Sequence, residues 1–277
     1  MVELDKTPVR EGYIFTGWYS DSDLSTLVTE ITMDEDLTVY AGWEEENPGS
    51  DSVLNSDLHF GYLKGYTDGD VHPDREITRA EITTIMYRLL TAEERDRVFT
   101  ADNDFNDVTK DLWYNKAVSS MANGDYVDGY PDGSFGGSRS ITRAEFVAIV
   151  ARMIKPAAGE TDFPDVNESH WASDYIAAAT GAGWIEGYED GSFRPEQTIT
   201  RAEAVTIINR ILDRGVDASS ELGDYYNPSD NADASAWYYY EIIEACNDHE
   251  RTGSRPSETW TSNSIEYNYD IDKYERP

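Results

Sequence analysis

The sequence has little cysteine, little histidine and no long apolar run. Cys246 is the one cysteine among 277 residues, which excludes a disulfide framework and a cysteine-based zinc site within one chain. No apolar run is long enough to cross a bilayer, so we expect no membrane insertion. The N-terminus lacks the charged and apolar regions of a signal peptide, so we expect any export signal to lie outside this sequence.

The few histidines give no sign of catalysis. They are His59, His72, His170 and His249, and none forms a metal-binding spacing such as H-E-x-x-H. Cys246 falls within a predicted helix without an obvious activating partner, where a small buried residue is the default. We therefore expect neither an enzyme nor a resident cofactor.

Basic residues are also scarce. Lys and Arg number 22 against 55 Asp and Glu, which gives a formal net charge of −33, and no run of basic residues occurs. Such a field repels nucleic acid and anionic lipid, so neither is an expected partner. The acidity keeps an exposed protein soluble and leaves weak Ca²⁺ binding open. The acidic run at residues 102–107 lacks the glycine and the later glutamate that an EF-hand loop requires.

A threefold repeat organises most of the chain. The string Ile-Thr-Arg-Ala-Glu occurs at residues 77–81, 141–145 and 199–203, and a Gly-Tyr pair precedes each copy at the same distance. The Thr and Glu of each string form a predicted capping box at the start of a helix. Apolar residues then recur at i, i+3, i+4, i+7 and i+8. This spacing predicts one broad buried face per helix and a shared three-helix core.

A shorter helix is predicted before two of the Gly-Tyr pairs. Trp113 and Trp171 open these helices, and an F-x-D-V turn containing Asp107 or Asp165 lies before each. The first copy lacks this half, but a spare half with Trp237 follows the third copy. We therefore predict that the array closes into a pseudo-threefold unit in which its first and last halves meet.

These motifs, in this order and at fixed offsets, resemble the S-layer homology family over residues 58–250. In that family, three repeats form a pseudo-trimer, and grooves between repeats bind secondary cell-wall polysaccharides that often carry a pyruvate ketal. The resemblance implies binding by the arginine of each string, the Asp before each Trp helix, and nearby glycine and aromatic residues. On this chain they are Arg79, Arg143, Arg201, Asp107, Asp165, Asp230, Trp113, Trp171, Trp237, Gly65, Gly129, Gly187, Tyr66, Tyr130 and Tyr188. Because the half with Asp230 has no clean F-x-D motif, we expect its groove to be weak or inactive.

The N-terminal residues carry a second resemblance. REGYIFTGWYSD at 10–21 and DEDLTVYAGW at 34–43 are similar to the Listeria–Bacteroides repeat, which implies a small β-grasp-like fold that here lacks its leading strand. Alternation from Leu37 to Tyr40 supports a strand. The predicted domains are this truncated repeat at 1–45, a linker at 46–57, repeats at 58–100, 101–158 and 159–215, residues 216–250 that complete the first repeat by closure, and a tail at 251–277.

An arginine at the start of a helix needs a reason, because the helix dipole disfavours cations there. An anion resting on the free N–H groups of the first turn supplies one, and a guanidinium grips a carboxylate bidentately. In this interpretation the aromatic rings stack on sugars and the Asp carboxylates accept sugar hydroxyls. Three other interpretations stay open: the arginines pair with acids and join repeats, the tryptophans fill the core or an interface, and the Gly-Tyr glycines serve turns with positive φ.

The sequence therefore predicts a mainly α, extracellular module that anchors a larger surface protein to secondary cell-wall polysaccharide. Two alternatives remain. One is a self-assembling lattice protein, which ordered sheets formed without glycan would indicate. The other is the anchor of an enzyme whose catalytic domain lies outside this chain.

Overall fold

The protein is described from a computed structural model covering residues 2–3, 8, 10, 13–24, 26–28, 30–31, 38–45, 52–253, 255–263 and 271–274. The chain divides into two compact units, Met1–Ser52 and Val53–Pro277. The first unit holds short antiparallel strands and the second holds the helices, so the described part of the chain is mainly helical.

The described residues of the N-terminal unit form five strands: β1 (Val2–Glu3), β2 (Tyr13–Tyr19), β3 (Leu27–Val28), β4 (Glu30–Ile31) and β5 (Tyr40–Glu45). Strand β2 lies between β3 and β5 in one antiparallel sheet, and β1 pairs with β4. The strand predicted over Leu37–Tyr40 begins only at Tyr40, because Thr38 and Val39 are not in a strand and Leu37 lies outside the described residues. The β-grasp comparison stays a prediction.

The second unit contains eight helices and one hairpin within its described residues. The helices are α1 (Arg79–Arg88), α2 (Ala92–Val98), α3 (Asn115–Asn123), α4 (Arg143–Ile154), α5 (Ser173–Gly181), α6 (Arg201–Ile211), α7 (Tyr239–Cys246) and α8 (Ile271–Tyr274). The antiparallel hairpin joins β6 (Glu250–Thr252) to β7 (Thr259–Ser262). Within the described ranges, no helix is both long and apolar enough to cross a membrane.

The predicted capping boxes are confirmed at all three repeated strings. Thr78, Thr142 and Thr200 are the N-caps of α1, α4 and α6, and the glutamate three residues later bonds back to the amide of each cap. The shorter helices begin later than predicted. Helix α3 starts at Asn115, two residues after Trp113, and the other tryptophans likewise precede their helices.

The apolar faces predicted for the capped helices are buried in one core. Ile82, Ile85 and Met86 of α1 lie there with the matching residues of α4 and α6. Each capped helix packs against the tryptophan-side helix that follows it: α1 against α3, α4 against α5 and α6 against α7. The shared core therefore includes all three repeats.

The isoleucines that precede the caps connect the repeats through their backbones. The amide of Ile141 donates to the carbonyl of Ile77, that of Ile199 to Ile141, and that of Ile77 to Ile199, at 3.0–3.2 Å. The three bonds form a closed ring, and all three isoleucine side chains are buried.

The start and the end of this unit meet. The amide of Leu63 donates to the carbonyl of Ala245, and the amide of His249 donates to the carbonyl of His59 at 2.8 Å. The last helix and the first loop of the array are therefore neighbours, although most of the unit separates them in sequence.

Candidate binding grooves

Three grooves at equivalent places each bring together residues of different repeats. We name them by the Gly-Tyr pair that each contains. The first groove is lined by Lys64, Gly65, Tyr66, Glu81, Thr84, Ile85, Arg88, Trp113 and Arg201. The second contains Arg79, Asp128, Gly129, Tyr130, Glu145, Ala148, Ile149, Arg152 and Trp171 at the corresponding positions, with Arg139 and Glu196 among its other residues. The third contains Arg143, Glu186, Gly187, Tyr188, Glu203, Thr206, Ile207, Arg210 and Trp237.

The arginine of each Thr-Arg-Ala-Glu string bonds to the loop of another repeat. Arg79 donates from Nε to the carbonyl of Phe135 at 3.0 Å and from a terminal nitrogen to that of Asp128 at 2.9 Å. Arg143 and Arg201 make the matching pairs of bonds to their own neighbouring loops. The three arginine residues are 6 %, 6 % and 3 % exposed in chain order, yet each lines a groove. Each arginine therefore joins two repeats as well as contributing charge to a groove.

The interpretation of an anion on free helix amides is wrong. The amide of Arg79 donates to the carbonyl of Arg139, and that of Ala80 donates to Gly137. The third amide of the helix bonds to the Thr78 side chain. The starts of α4 and α6 are bonded in the same way, to carbonyls of the next repeat. Carbonyl groups of other repeats therefore already accept hydrogen bonds from the backbone amides at these helix starts. No amide is left there for an anion to bind.

The tyrosine of each Gly-Tyr pair connects an arginine to a glutamate. Tyr66 donates its hydroxyl to Glu81 at 2.5 Å, and the guanidinium of Arg201 lies 4.7 Å from the centre of its ring. Burial and the bond to Glu81 raise the pKa of Tyr66 to about 12, so the phenol stays protonated and remains a donor. Tyr130 and Tyr188 repeat both contacts and also have a raised pKa, mainly because of burial.

Each of the three aspartates holds a loop through two backbone amides. Asp107 accepts the amides of Phe135 and Gly136 at 2.6 and 2.8 Å, and Asp165 accepts two amides in the same way. Asp230 accepts the amides of Val71 and His72, so the C-terminal half supports the first Gly-Tyr loop in the same manner. Each carboxylate oxygen accepts one amide and keeps a further lone pair, so the interpretation as acceptors of sugar hydroxyls stays a prediction.

The tryptophans and glycines also have distinct roles. Trp113, Trp171 and Trp237 are 50 %, 54 % and 63 % exposed, so the interpretation as core aromatics is wrong.

None of the three Gly-Tyr glycines has a positive φ, so turn geometry does not explain them. A Cβ on Gly129 would lie 2.7 Å from the Phe105 ring, and one on Gly187 would meet a phenylalanine at 2.5 Å. Close packing therefore requires glycine at these two positions.

One set of groove residues was missed by the sequence analysis. Arg88, Arg152 and Arg210 stand in the last turns of the three capped helices and line the three grooves. Their common distance from the arginine of the repeated string was a visible signal. Arg152 forms an ion pair with Asp128 at 2.7 Å, and Arg210 forms one with Glu186 at 3.3 Å.

The first groove differs at the position of these acids, which is occupied by Lys64. Its lining residues include three bases, Lys64, Arg88 and Arg201, and one acid, Glu81. The lining residues of the second and third grooves carry equal numbers of acids and bases. Counted over the described lining residues, the first groove therefore has the largest excess of basic side chains, in a chain whose net charge is −33.

Comparisons with known proteins agree with these repeats. Residues 104–147 and 162–205 match the S-layer homology domain, and residues 1–42 match the Listeria-Bacteroides repeat domain. The chain is 32% identical over 219 residues to cell surface glycoprotein 1 of Acetivibrio thermocellus, covering 74% of this chain and 9% of that protein. It is 35% identical over 198 residues to the cellulosome-anchoring protein of the same organism, covering 67% of this chain and 44% of that protein.

An amylopullulanase of Thermoanaerobacterium thermosulfurigenes is 32% identical over 223 residues, which are 75% of this chain and 12% of the enzyme. The chain thus spans less than half the length of each of these three relatives. The relatives are surface proteins and an enzyme that share a region of this size. The chain therefore carries S-layer homology domains in its second unit and a Listeria-Bacteroides repeat at its N-terminus.

Proposed function

We propose that the second unit anchors a larger surface protein to the bacterial cell wall by binding an anionic polysaccharide in its grooves. The module itself is non-catalytic, and it works outside the cell. The relatives named for surface glycoprotein and for cellulosome anchoring support a role in attachment. The amylopullulanase supports the same role, because only 12% of that enzyme aligns with this chain.

The pseudo-threefold closure predicted from the matching halves of the repeats is part of this proposal. Its support is the closed ring of backbone bonds among Ile77, Ile141 and Ile199. The equivalent carboxylate bonds of Asp107, Asp165 and Asp230 add to it. Closure matters for function because it gives the first Gly-Tyr loop the same kind of groove as the other two.

The basic lining of the first groove is the observation that carries the proposal. Lys64 and Arg88 lie at the groove surface near the buried Arg201. Hydrogen bonds from charged donors to a carboxylate are stronger than neutral ones and favour an acidic sugar substituent, such as a pyruvyl ketal. The half-exposed Trp113 offers a ring face for a sugar at the same groove. In the second and third grooves, a ligand carboxylate competes with Asp128 or Glu186 for the arginine.

Lys64→Glu tests the proposal with little disturbance of the fold, because Lys64 is exposed. The substitution puts a carboxylate beside Arg88, which is the arrangement found in the other two grooves. We expect co-sedimentation with purified cell-wall sacculi to weaken about tenfold, which corresponds to a loss of about 1.4 kcal/mol. Arg79, Arg143 and Arg201 are poor targets, because their loss also removes bonds between repeats.

Glu186→Lys is the matched control. It makes the third groove resemble the first, so we expect sedimentation at least as strong as that of the unmodified protein. Circular dichroism checks that both variants keep their helices. If Lys64→Glu binds sacculi as well as the unmodified protein does, the first groove is not the binding site.

A further inference from the structure

A buried cluster lies where the first and last segments of the helical unit meet. It consists of His59, Glu244, His249 and Glu258, whose side chains are all 1 % exposed or less. His59 lies at the start of the first repeat, Glu244 lies in helix α7, and Glu258 lies between strands β6 and β7. No role in the grooves involves these residues.

Four potential ligand atoms of the cluster all lie within 4.8 Å of one another. His59 Nδ1 lies 3.4 Å from Glu244 Oε1 and 3.4 Å from Glu258 Oε2. His249 Nε2 lies 3.3 and 3.9 Å from the same two oxygens. The two ring nitrogens are 3.0 Å apart. A tetrahedral zinc ion with bonds of about 2.0–2.1 Å separates its ligands by roughly 3.3–3.4 Å, which is close to these distances.

Two buried carboxylate oxygens of the cluster give independent support for a cation. Glu258 Oε2 and Glu244 Oε2 have no hydrogen-bond partner within the described part of the chain. Glu258 Oε2 lies 3.4–3.9 Å from nitrogens of His59, His249 and Arg251, which are ion-pair distances. Buried charges in proteins are usually paired and hydrogen-bonded or coordinate a metal, and this oxygen has no hydrogen bond. Glu258 Oε2 is itself one of the four potential ligand atoms.

The residues around the cluster suit metal ligation. The Nδ1 atom of His249 lies 3.3 Å from the carbonyl of Asn247, which can hold the hydrogen there and leave Nε2 free to bind. Arg214 donates to Glu244 at 2.9 Å, and a carboxylate so bonded retains lone pairs for a metal. The ring of Trp260 stacks on His249 at 4.0 Å between ring centres and helps to exclude water.

The contacts of Arg251 and the hydrogen bond between the two histidine rings have to change when a metal binds, and the ion pair of Arg251 with Glu258 Oε2 at 3.6 Å is among them. Arg251 donates from Nε to His59 Nε2 at 2.9 Å, whereas ligation through Nδ1 places the ring hydrogen on Nε2. The Arg251 side chain is 30% exposed, so it can turn into solvent without crossing the core. The hydrogen bond between the two histidine rings is replaced by their bonds to the ion.

We propose that His59, Glu244, His249 and Glu258 bind one Zn²⁺, which fastens the beginning of the helical unit to its end. Zinc fits better than calcium or magnesium, because two of the four ligands are imidazoles and the other two cations prefer six or more oxygens. The ion supplies a structural crosslink, since all four positions are filled by protein and none is left open for a substrate.

The test uses the full 277-residue chain, stripped with a chelator and dialysed against Zn²⁺, with bound metal measured by mass spectrometry. We expect about one Zn²⁺ per chain. The melting temperature should rise by roughly 5–10 °C when free Zn²⁺ is about 100 times its dissociation constant. Co²⁺ in place of Zn²⁺ should give the intense visible absorption of a tetrahedral site.

Glu258→Gln is the critical variant, because it keeps the shape of the side chain and removes a ligand charge. We expect it to lose the bound Zn²⁺ and the rise in melting temperature. His72→Ala is the control, since His72 belongs to the more exposed cluster with Asp68 and Asp70. The proposal is overturned if Glu258→Gln binds as much Zn²⁺ as the unmodified protein, if the folded unmodified protein binds none, or if Co²⁺ shows the weak bands of six-coordination.

Discussion

Single residues of the helical unit differ widely in how much they contribute to its stability, and Arg214 is expected to contribute a large amount. Its side chain and that of Glu244 are both fully buried, with Nε 2.9 Å from Oε1. Arg214 also donates to the carbonyl of Phe60. Arg214→Met leaves the Glu244 charge buried without its main partner, so we expect the free energy of unfolding to fall by about 3–5 kcal/mol in urea titrations.

Arg194→Met is the matched control at the same scale. Arg194 pairs with Asp190 at 2.9 Å, but both side chains are exposed, so solvent screens the pair. We expect the urea midpoint of this variant to match that of the unmodified protein. If the urea midpoint of Arg214→Met also matches that of the unmodified protein, the buried pair of Arg214 and Glu244 does not stabilise the fold.

The sequence could predict which residues matter, but it could not predict their partners. The fixed offsets identified Arg79, Arg143 and Arg201 directly. Their bonds go to carbonyls of loops 43–137 residues away in the chain, and the amides beside them bond to other repeats. Capping rules consider only residues next to a helix in the sequence, so they predicted that the amides at the helix start would be free donors. Only the assembled core shows that they are taken.

At the scale of single elements, the capping box of α6 offers a direct test. Thr200 accepts the amide of Glu203 at 3.2 Å, and Glu203 accepts the amide of Thr200 at 2.8 Å. Thr200→Ala removes one of these bonds, and we expect a loss of about 1 kcal/mol in the free energy of unfolding. Thermal and urea unfolding measure this loss.

Thr200→Ser separates the hydrogen bond from packing, because serine keeps the oxygen and loses the methyl group. We expect it to be close to the unmodified protein in stability. An equal loss for both variants would show that the methyl group, and not the cap, stabilises the start of α6.

The elements were predictable where the signal was local. The capped helices begin where the Thr-Arg-Ala-Glu strings place them. Helix α2 was not predicted, although its N-cap Thr91 bonds to the amide of Glu94 and was a readable signal. The β6–β7 hairpin has a different cause: Trp260 is buried against Val216 and Leu222, and such long-range packing leaves no short pattern in the sequence.

At the scale of the whole molecule, charge is the main constraint on function. A chain with a net charge of −33 repels an anionic polymer over distances of about a Debye length, roughly 8 Å at physiological salt. Binding must therefore depend on a local basic surface that is close enough to the ligand to overcome this repulsion. The cluster of Lys64, Arg88 and Arg201 is such a surface, and composition alone gave no sign of it.

The repeats also explain how one ancestral pattern can give unequal sites. The three grooves share their tyrosine, glutamate and arginine positions, and they differ where Lys64 replaces Asp128 and Glu186. The sequence predicted that the groove using the half with Asp230 would be weak or inactive, because that half has no clean F-x-D motif. Its carboxylate nevertheless holds the first Gly-Tyr loop as its counterparts hold theirs, so the loop of the first groove has the same backbone support.

The most direct measurement is a calorimetric titration of this protein with cell-wall polysaccharide whose acidic substituents are either kept or removed. We expect that removing these substituents weakens binding about tenfold or more, and that Lys64→Glu binds both forms with the same low affinity. Equal affinity of the unmodified protein for the two forms, unchanged by Lys64→Glu, would contradict the assignment of the first groove as an anion site.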